Sequence, residues 1–136
     1  MIKRITIMML LIFAMGSAAQ AADIMKYRAY RYAEQKKLSS GRWGEWSDWE
    51  DINLTITFNF DHQVIRINNK INSMFLIDDC DETYTDDDGD EVLKIYAHDE
   101  EDLKCEIRVI SRESGTMQLY VDYNNVRWCY NIRQIE

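Results

Sequence analysis

The chain has 136 residues, 46% of them hydrophobic and 29% charged, with 24 acidic against 16 basic side chains for a formal charge of −8, three cysteines and no proline. That balance excludes a duplex-binding face, because a nucleic-acid binder displaces counterions with clustered Lys and Arg, whereas Arg108 and Arg127 sit singly among acids. It also argues against an anionic membrane surface as partner, and the length suits one domain with a single core.

Residues 1–4 are a short basic start, residues 5–15 an apolar run, and Ala19-Gln20-Ala21 has the small-x-small pattern that signal peptidase accepts. We read residues 1–21 as a secretory signal peptide. The apolar run is about 11 residues long against the roughly 20 that a membrane-spanning helix needs. No cysteine follows the cleavage site, so a lipid anchor is not expected. The mature chain is expected to begin at Ala22 and to be one periplasmic or secreted all-β domain over residues 22–136. Losing Lys3 and Arg4 removes two positive charges from −8 and leaves about −10.

From Ala22 onward the apolar residues recur at spacing two and hardly at three or four, which is an all-β pattern. Residues 25–33, MKYRAYRYA, form a tyrosine-rich first strand, and residues 34–41 a polar link expected as an irregular loop. WGEWSDWE over 43–50 leads into the cleanest alternation of the chain, in which Ile52, Leu54, Ile56, Phe58 and Phe60 face away from Asn53, Thr55, Thr57 and Asn59. A two-residue loop at His62-Gln63 sets Ile65 opposite Phe60 and Ile67 opposite Phe58. A turn at 68–70 precedes a strand over 71–77 whose phase stays open, since Met74 and Phe75 are both apolar, and residues 78–90 read as an acidic loop. Leu93, Ile95 and Ala97 share one parity with Leu103, Cys105, Ile107 and Val109 across a loop at 98–102. A turn at 111–116 then places Val109, Ile107 and Cys105 beside Met117, Leu119 and Val121.

The last stretch, MQLYVDYNNVRWCYNI over 117–132, specifies its own register. Asparagine tolerates positive φ, so Asn124-Asn125 suits a two-residue primed turn. Counting outward, Tyr123 faces Val126, Val121 faces Trp128, Leu119 faces Tyr130 and Met117 faces Ile132. The other side pairs Asp122 with Arg127, Tyr120 with Cys129 and Gln118 with Asn131. A slip by one residue would put Trp128 and Tyr130 in the polar set. Cys105 therefore points to the core as a small apolar residue, Cys129 points away from it, and these two cannot approach to disulfide distance. If any bridge forms, the pairing expected is Cys80 with Cys129.

About eight short strands joined in order make an antiparallel meander, whose natural closure is a small up-and-down, lipocalin-like barrel. A β-sandwich is the alternative, disfavoured because sandwiches need a long Greek-key crossing. The run WGEWSDWEDINLTITFNFDHQVIRI, the DDDGDE loop and QLYVDYNNVRWCYNI resemble small secreted proteins of Bacteroidota that carry a WxxWSxWE segment and a QLYVDY hairpin. That resemblance spans most of the mature chain, implies a secreted β-meander and implies no activity. The short hallmark of true lipocalins near their first strand is absent.

Trp43, Trp46 and Trp49 are spaced by three, and WGEWSDW is similar to the tryptophan ladder of thrombospondin type 1 repeats, but three cysteines cannot supply those repeats' disulfides. In one continuous strand Trp43 and Trp49 share a face and Trp46 takes the other. At least one indole is then expected to cover a barrel end or to stand exposed, where it can stack on a sugar ring or anchor a partner. The bland reading is packing. Asp86, Asp88 and Asp90, in the run 86–91, offer hard oxygens of the kind calcium takes. An EF-hand is excluded, since aligning Gly89 with its glycine puts Tyr84 and Ile95 at the first and last ligand positions. The bland reading is a solvated hairpin loop.

His62 and His98 both sit in turns beside acids, and there is no GxSxG elbow, HExxH pair or cysteine-pair metal spacing. No catalytic residue and no cofactor is expected. The leading expectation is a secreted or periplasmic, non-catalytic binding module that holds a small ligand or glycan at a tryptophan-bearing barrel end. The alternative is a protein-interaction or envelope-structural domain with a filled core. The partner is then an unknown small molecule, glycan or protein, with no nucleic acid and no membrane span.

Overall fold

The computed structural model describes residues 24–68 and 73–135, so the expected signal peptide at 1–21 and all but Asn68 of the expected turn at 68–70 lie outside the described residues. Among the described residues every regular element is a strand. They are β1 (Ile24–Lys37), β2 (Trp43–Trp46), β3 (Glu50–Asn59), β4 (Val64–Asn68), β5 (Ser73–Cys80), β6 (Tyr84–Thr85), β7 (Glu91–Asp99), β8 (Lys104–Ser111), β9 (Met117–Asp122) and β10 (Val126–Ile135).

Antiparallel pairing runs in the order β1, β3, β4, β5, β7, β8, β9, β10, and β10 returns to pair with β1. Eight strands therefore close a barrel, with β2 added beside β1 and β6 beside β7. Closure of β10 on β1 removes the edges that an open sheet or a sandwich would leave, which bears out the barrel and excludes the sandwich. One residue in two along each strand points inward. Tyr27, Ile56, Phe58, Ile65, Ile67, Phe75, Leu93, Ile95, Ile107, Leu119 and Ile132 are fully buried and fill most of the interior. Tyr27 meets Phe58 edge-on at 5.6 Å between ring centroids.

The closing hairpin has the expected register, with Val121 opposite Trp128, Leu119 opposite Tyr130 and Met117 opposite Ile132. Its turn differs, because among non-glycine residues positive φ occurs at Gln63 and Asp102, not at Asn124 or Asn125. The turn is closed by the Tyr123 N–H donating to the Val126 carbonyl at 2.8 Å and is tied to β1, where the Asn125 carbonyl accepts the Lys37 N–H at 2.9 Å. Three hairpins keep the expected faces and shift by two residues, one of them β7–β8, where Ala97 pairs with Cys105 and Ile95 with Ile107. Phe58 pairs with Ile65 and Ile56 with Ile67, because the loop takes in Phe60 and Asp61 as well as His62-Gln63. There the Asn59 side chain accepts the His62 N–H at 3.1 Å, and Gln63 supplies the positive φ of 56°. Likewise Ile107 pairs with Val121 and Val109 with Leu119. Leu103 is 54% exposed, outside β8, where the Asp99 carboxylate accepts the Leu103 N–H and organises the loop.

Three further differences matter for function. Residues 34–37, expected as loop, continue β1, because Gln35 and Lys36 pair with Arg127 and Val126 of β10 while Gln35 and Lys37 pair with Trp46 and Trp43 of β2. Pairing on both sides overrides the weak strand preference of Glu-Gln-Lys-Lys. The acidic loop is shorter than expected, since β5 runs to Cys80 and β6 intervenes. Finally, two bulges reset the alternation. Tyr30 is skipped between the pairs Ala29–Ile132 and Arg31–Asn131, and Asp78 is skipped between Ile77–Ala97 and Asp79–Tyr96. A bulge adds one residue and so exchanges the inward and outward sets beyond it.

Candidate functional site

The bulge at Tyr30 builds an apolar cavity at a barrel mouth. Before it, Met25, Tyr27 and Ala29 point inward; beyond it the even residues do, so Tyr32 pairs with Tyr130 and Glu34 with Trp128 on the inner face. These four, with Ile52, Leu54, Ile67 and Ser73, line a cavity of about 320 Å³ above the filled core. Tyr32 and Tyr130 lie 5.4 Å apart between ring centroids. Trp128 is braced edge-on by Tyr123 at 5.4 Å, and the Tyr123 hydroxyl donates to Asp99 at 2.8 Å.

Glu34 is the cavity's only charged lining residue. It accepts the Tyr32 hydroxyl at 2.6 Å and faces the Lys36 ammonium at 3.3 Å, and Lys36 is itself 76% exposed. The Tyr32 hydrogen bond, followed by Lys36 and the Trp128 indole N–H, holds the Glu34 carboxyl below the usual range despite partial burial. Burial, and next the Glu34 charge, push the Tyr130 phenol up to about 12. At neutral pH the cavity therefore presents one carboxylate among neutral aromatic rings.

The three candidate tryptophans of the WGEWSDW run lie on the outer wall. The strand breaks between Trp46 and Glu50, so the single-strand parity argument does not hold. Ser47 ties the break to β1, donating its N–H to the Glu34 carbonyl at 2.7 Å and accepting the Glu34 N–H on its hydroxyl at 2.8 Å. Trp46 and Trp49 flank a groove of about 290 Å³ with Ala33, Ser47, Tyr120 and Cys129. They are 41% and 39% exposed. Trp43 lies under the Arg127 guanidinium, 4.1 Å from its ring centroid, and so packs against a cation. The structure thus brings Trp46 and Trp49 together and sets Trp43 apart.

Asp86, Asp88 and Asp90 do converge, with one carboxylate oxygen of each lying within 4.8 Å of the others. Two of the three carboxylates are already engaged by protein donors. Asp86 accepts the N–H groups of Asp88 and Asp90 at 2.9 and 3.0 Å. Asp90 is buried, accepting the Glu113 N–H at 2.9 Å and Arg112 at 2.8 Å, and these two, in that order, hold its carboxyl low. The loop thereby clamps the β8–β9 turn to the β6–β7 hairpin.

The histidines stand apart from the mouth cavity. His98 Nδ1 lies 2.9 Å from Asp78, the residue expelled by the second bulge, and the His62 ring lies against the Asn59 side chain that caps its turn, with Nδ1 at 3.3 Å from Asn59 Oδ1. A wider cleft of about 1310 Å³ at the same barrel end is walled by loops and by charges of both signs, including Asp122 and Arg127. Asp122 is engaged there by Arg108 at 2.8 Å, so that cleft offers no single recognition chemistry. Cys80, Cys105 and Cys129 are all buried thiols. Cys80 and Cys105 belong to the core, and Cys129 points outward under the Trp46–Trp49 segment, so the expected Cys80–Cys129 pairing is not formed and would have to cross the barrel wall.

Trp128 and Tyr130 were legible as inward-facing in the sequence, whereas Tyr32 and Glu34 were not, since simple alternation from Tyr27 and Ala29 sends them outward. No protein-family model, curated protein or solved structure matches the chain.

Proposed function

We propose that the chain is a non-catalytic binding module that takes a small ligand in the barrel mouth. The observation supporting this is the make-up of that cavity: three aromatic rings, three aliphatic side chains and one carboxylate around about 320 Å³, above a core that is otherwise filled. Small-molecule sites have this mixture and start at roughly 300 Å³. The cavity's polar groups are a carboxylate, a serine and phenols, with no imidazole or thiol beside them. This moves the ligand from the WGEWSDW tryptophans to Trp128.

A thermal-shift screen against sugars, amines and short lipids tests it, since a ligand at one hundred times its dissociation constant adds about 2.7 kcal/mol. Ser73→Phe places a ring in the cavity and is expected to abolish the shift while the protein stays folded. A shift that survives Ser73→Phe puts the ligand elsewhere. The exposure of Trp46 and Trp49 supports a second reading, a protein-interaction or envelope-structural domain that uses the outer groove. In that case replacing both with Ala abolishes partner or glycan binding and Ser73→Phe does not.

We also propose export to the periplasm or beyond, on the leader pattern of residues 1–21. Intact mass beginning at Ala22 supports it, and a product retaining Lys3 and Arg4 overturns it. Among the described residues no helix is long and apolar enough to cross a membrane.

A further inference from the structure

We infer that the mouth cavity is built for an organic cation, an alkylated ammonium whose charge meets Glu34 and whose methyl groups lie among Tyr32, Trp128 and Tyr130. This rests on the binding-module reading and specifies its ligand class. Aromatic rings carry negative potential on their faces, and a cation held against several of them is attracted in proportion to how well water is excluded. A neutral apolar ligand would need no carboxylate, and burying one unpaired would be unfavourable. An anion would meet Glu34 repulsively in a domain that is already acidic.

Glu34 is prepared for such a partner. A carboxylate accepts about four hydrogen bonds. Tyr32 donates one at 2.6 Å, which positions its ring, while the Trp128 ring is positioned by Tyr123. The remaining counter-charge is Lys36 at 3.3 Å, a mostly exposed side chain that can swing into solvent when a ligand cation takes its place. The backbone of Glu34 is held separately by Ser47, so changing its side chain leaves the β1–β2 junction intact.

The probe is choline, and the control is its uncharged carbon isostere 3,3-dimethyl-1-butanol, each titrated calorimetrically into the purified protein at low salt. Choline is expected to bind saturably and at least about ten-fold more tightly than the isostere. Glu34→Gln should weaken choline by about ten-fold and leave the isostere unchanged, whereas Lys36→Met should tighten choline by removing the competing cation. Lys36→Met keeps the test decisive should Glu34→Gln fail to fold. Equal binding of choline and isostere overturns the cation inference while the pocket reading stands. Binding of neither, with no ligand class protecting in the thermal screen, overturns both. Choline binding that ignores Glu34→Gln and survives Ser73→Phe places the cation outside the mouth and overturns the inference as well.

Discussion

Tyr27→Phe should stabilise this protein, against the usual sign of a Tyr→Phe change in a core. Tyr27 is 1% exposed, in the middle of the inner face, and its hydroxyl has no hydrogen-bond partner among the described residues. In the unfolded chain that hydroxyl is hydrated, so folding strips it of water without replacement, at a cost of about 1–3 kcal/mol. Phenylalanine keeps the ring, including its edge-on contact with Phe58, and removes the orphaned group. Allowing for a small void where the oxygen was, the expected gain is about 1–2 kcal/mol. For a domain of this size each kcal/mol moves the melting temperature by about 3–5 °C. Urea unfolding should show a higher midpoint at unchanged slope. Tyr123→Phe is the matched control, because that hydroxyl donates to the Asp99 carboxylate at 2.8 Å, and its loss should destabilise by about 1.5–3 kcal/mol. If Tyr27→Phe destabilises as much as Tyr123→Phe, the hydroxyl is bridged by a buried water and the interior is not dry.

His98 should titrate above 6.5, raised chiefly by its hydrogen bond to Asp78, and Asp78→Asn should return it toward 6.5 by NMR. Because the folded value is raised, the stability contributed by this pair is complete below the unfolded pKa and is lost as pH rises through the folded one; loss on acidification instead would contradict the pairing. Burial pushes the Cys129 thiol up to about 11 and the Cys105 thiol up to about 12, so thiol reagents at mildly alkaline pH should label the native protein slowly and all three cysteines once it is unfolded. A Cys80–Cys129 peptide from non-reducing mapping would refute their placement on opposite sides of the wall. Gly89 has φ +85°, and an added Cβ would sit 2.5 Å from the flexible Glu113 carboxylate, so Gly89→Ala should destabilise by about 1–2 kcal/mol, mainly through backbone strain. Millimolar calcium should leave the melting temperature unchanged, since Asp90 is engaged by Arg112 and the Glu113 N–H; a rise abolished by Asp88→Asn would show that the loop takes the ion after all.

The parts of the fold legible in the sequence were those where turn chemistry and alternation agree. Around Asn124-Asn125 a one-residue slip would bury Arg127 and expose Trp128, so register followed from pattern even though the turn geometry differs. Around His62-Gln63 the pattern was equally clean, yet a shift by two preserves every face, and only the Asn59 cap and the positive φ at Gln63 choose between the registers. Loop length and face therefore carry different information. Alternation identifies which residues are inside and is blind to slips of two.

The candidate site was hidden for a stronger reason, since it depends on the place where alternation is broken. Tyr30 could sit in an unbroken strand, and nothing in MKYRAYRYAEQKK marks it as the extra residue. What selects the bulge is the far side of the pairing. Read without it, β1 would turn Arg31 and Ala33 inward opposite Tyr130 and Trp128, and would push Tyr32 and Glu34 onto the outer face. With it, the small Ala33 is the residue that fits under Trp46 and Trp49, and Tyr32 is the ring that meets Tyr130. One inserted residue thus satisfies both faces of β1 and carries a single acidic side chain into an aromatic mouth. Bulges gather where a strand must re-aim a side chain, and a local departure from an otherwise consistent pattern is where function is to be sought. Here that departure and the apolar cavity of the barrel mouth coincide, which is the physical ground for placing the ligand at Glu34 rather than on the more conspicuous tryptophans of the outer wall.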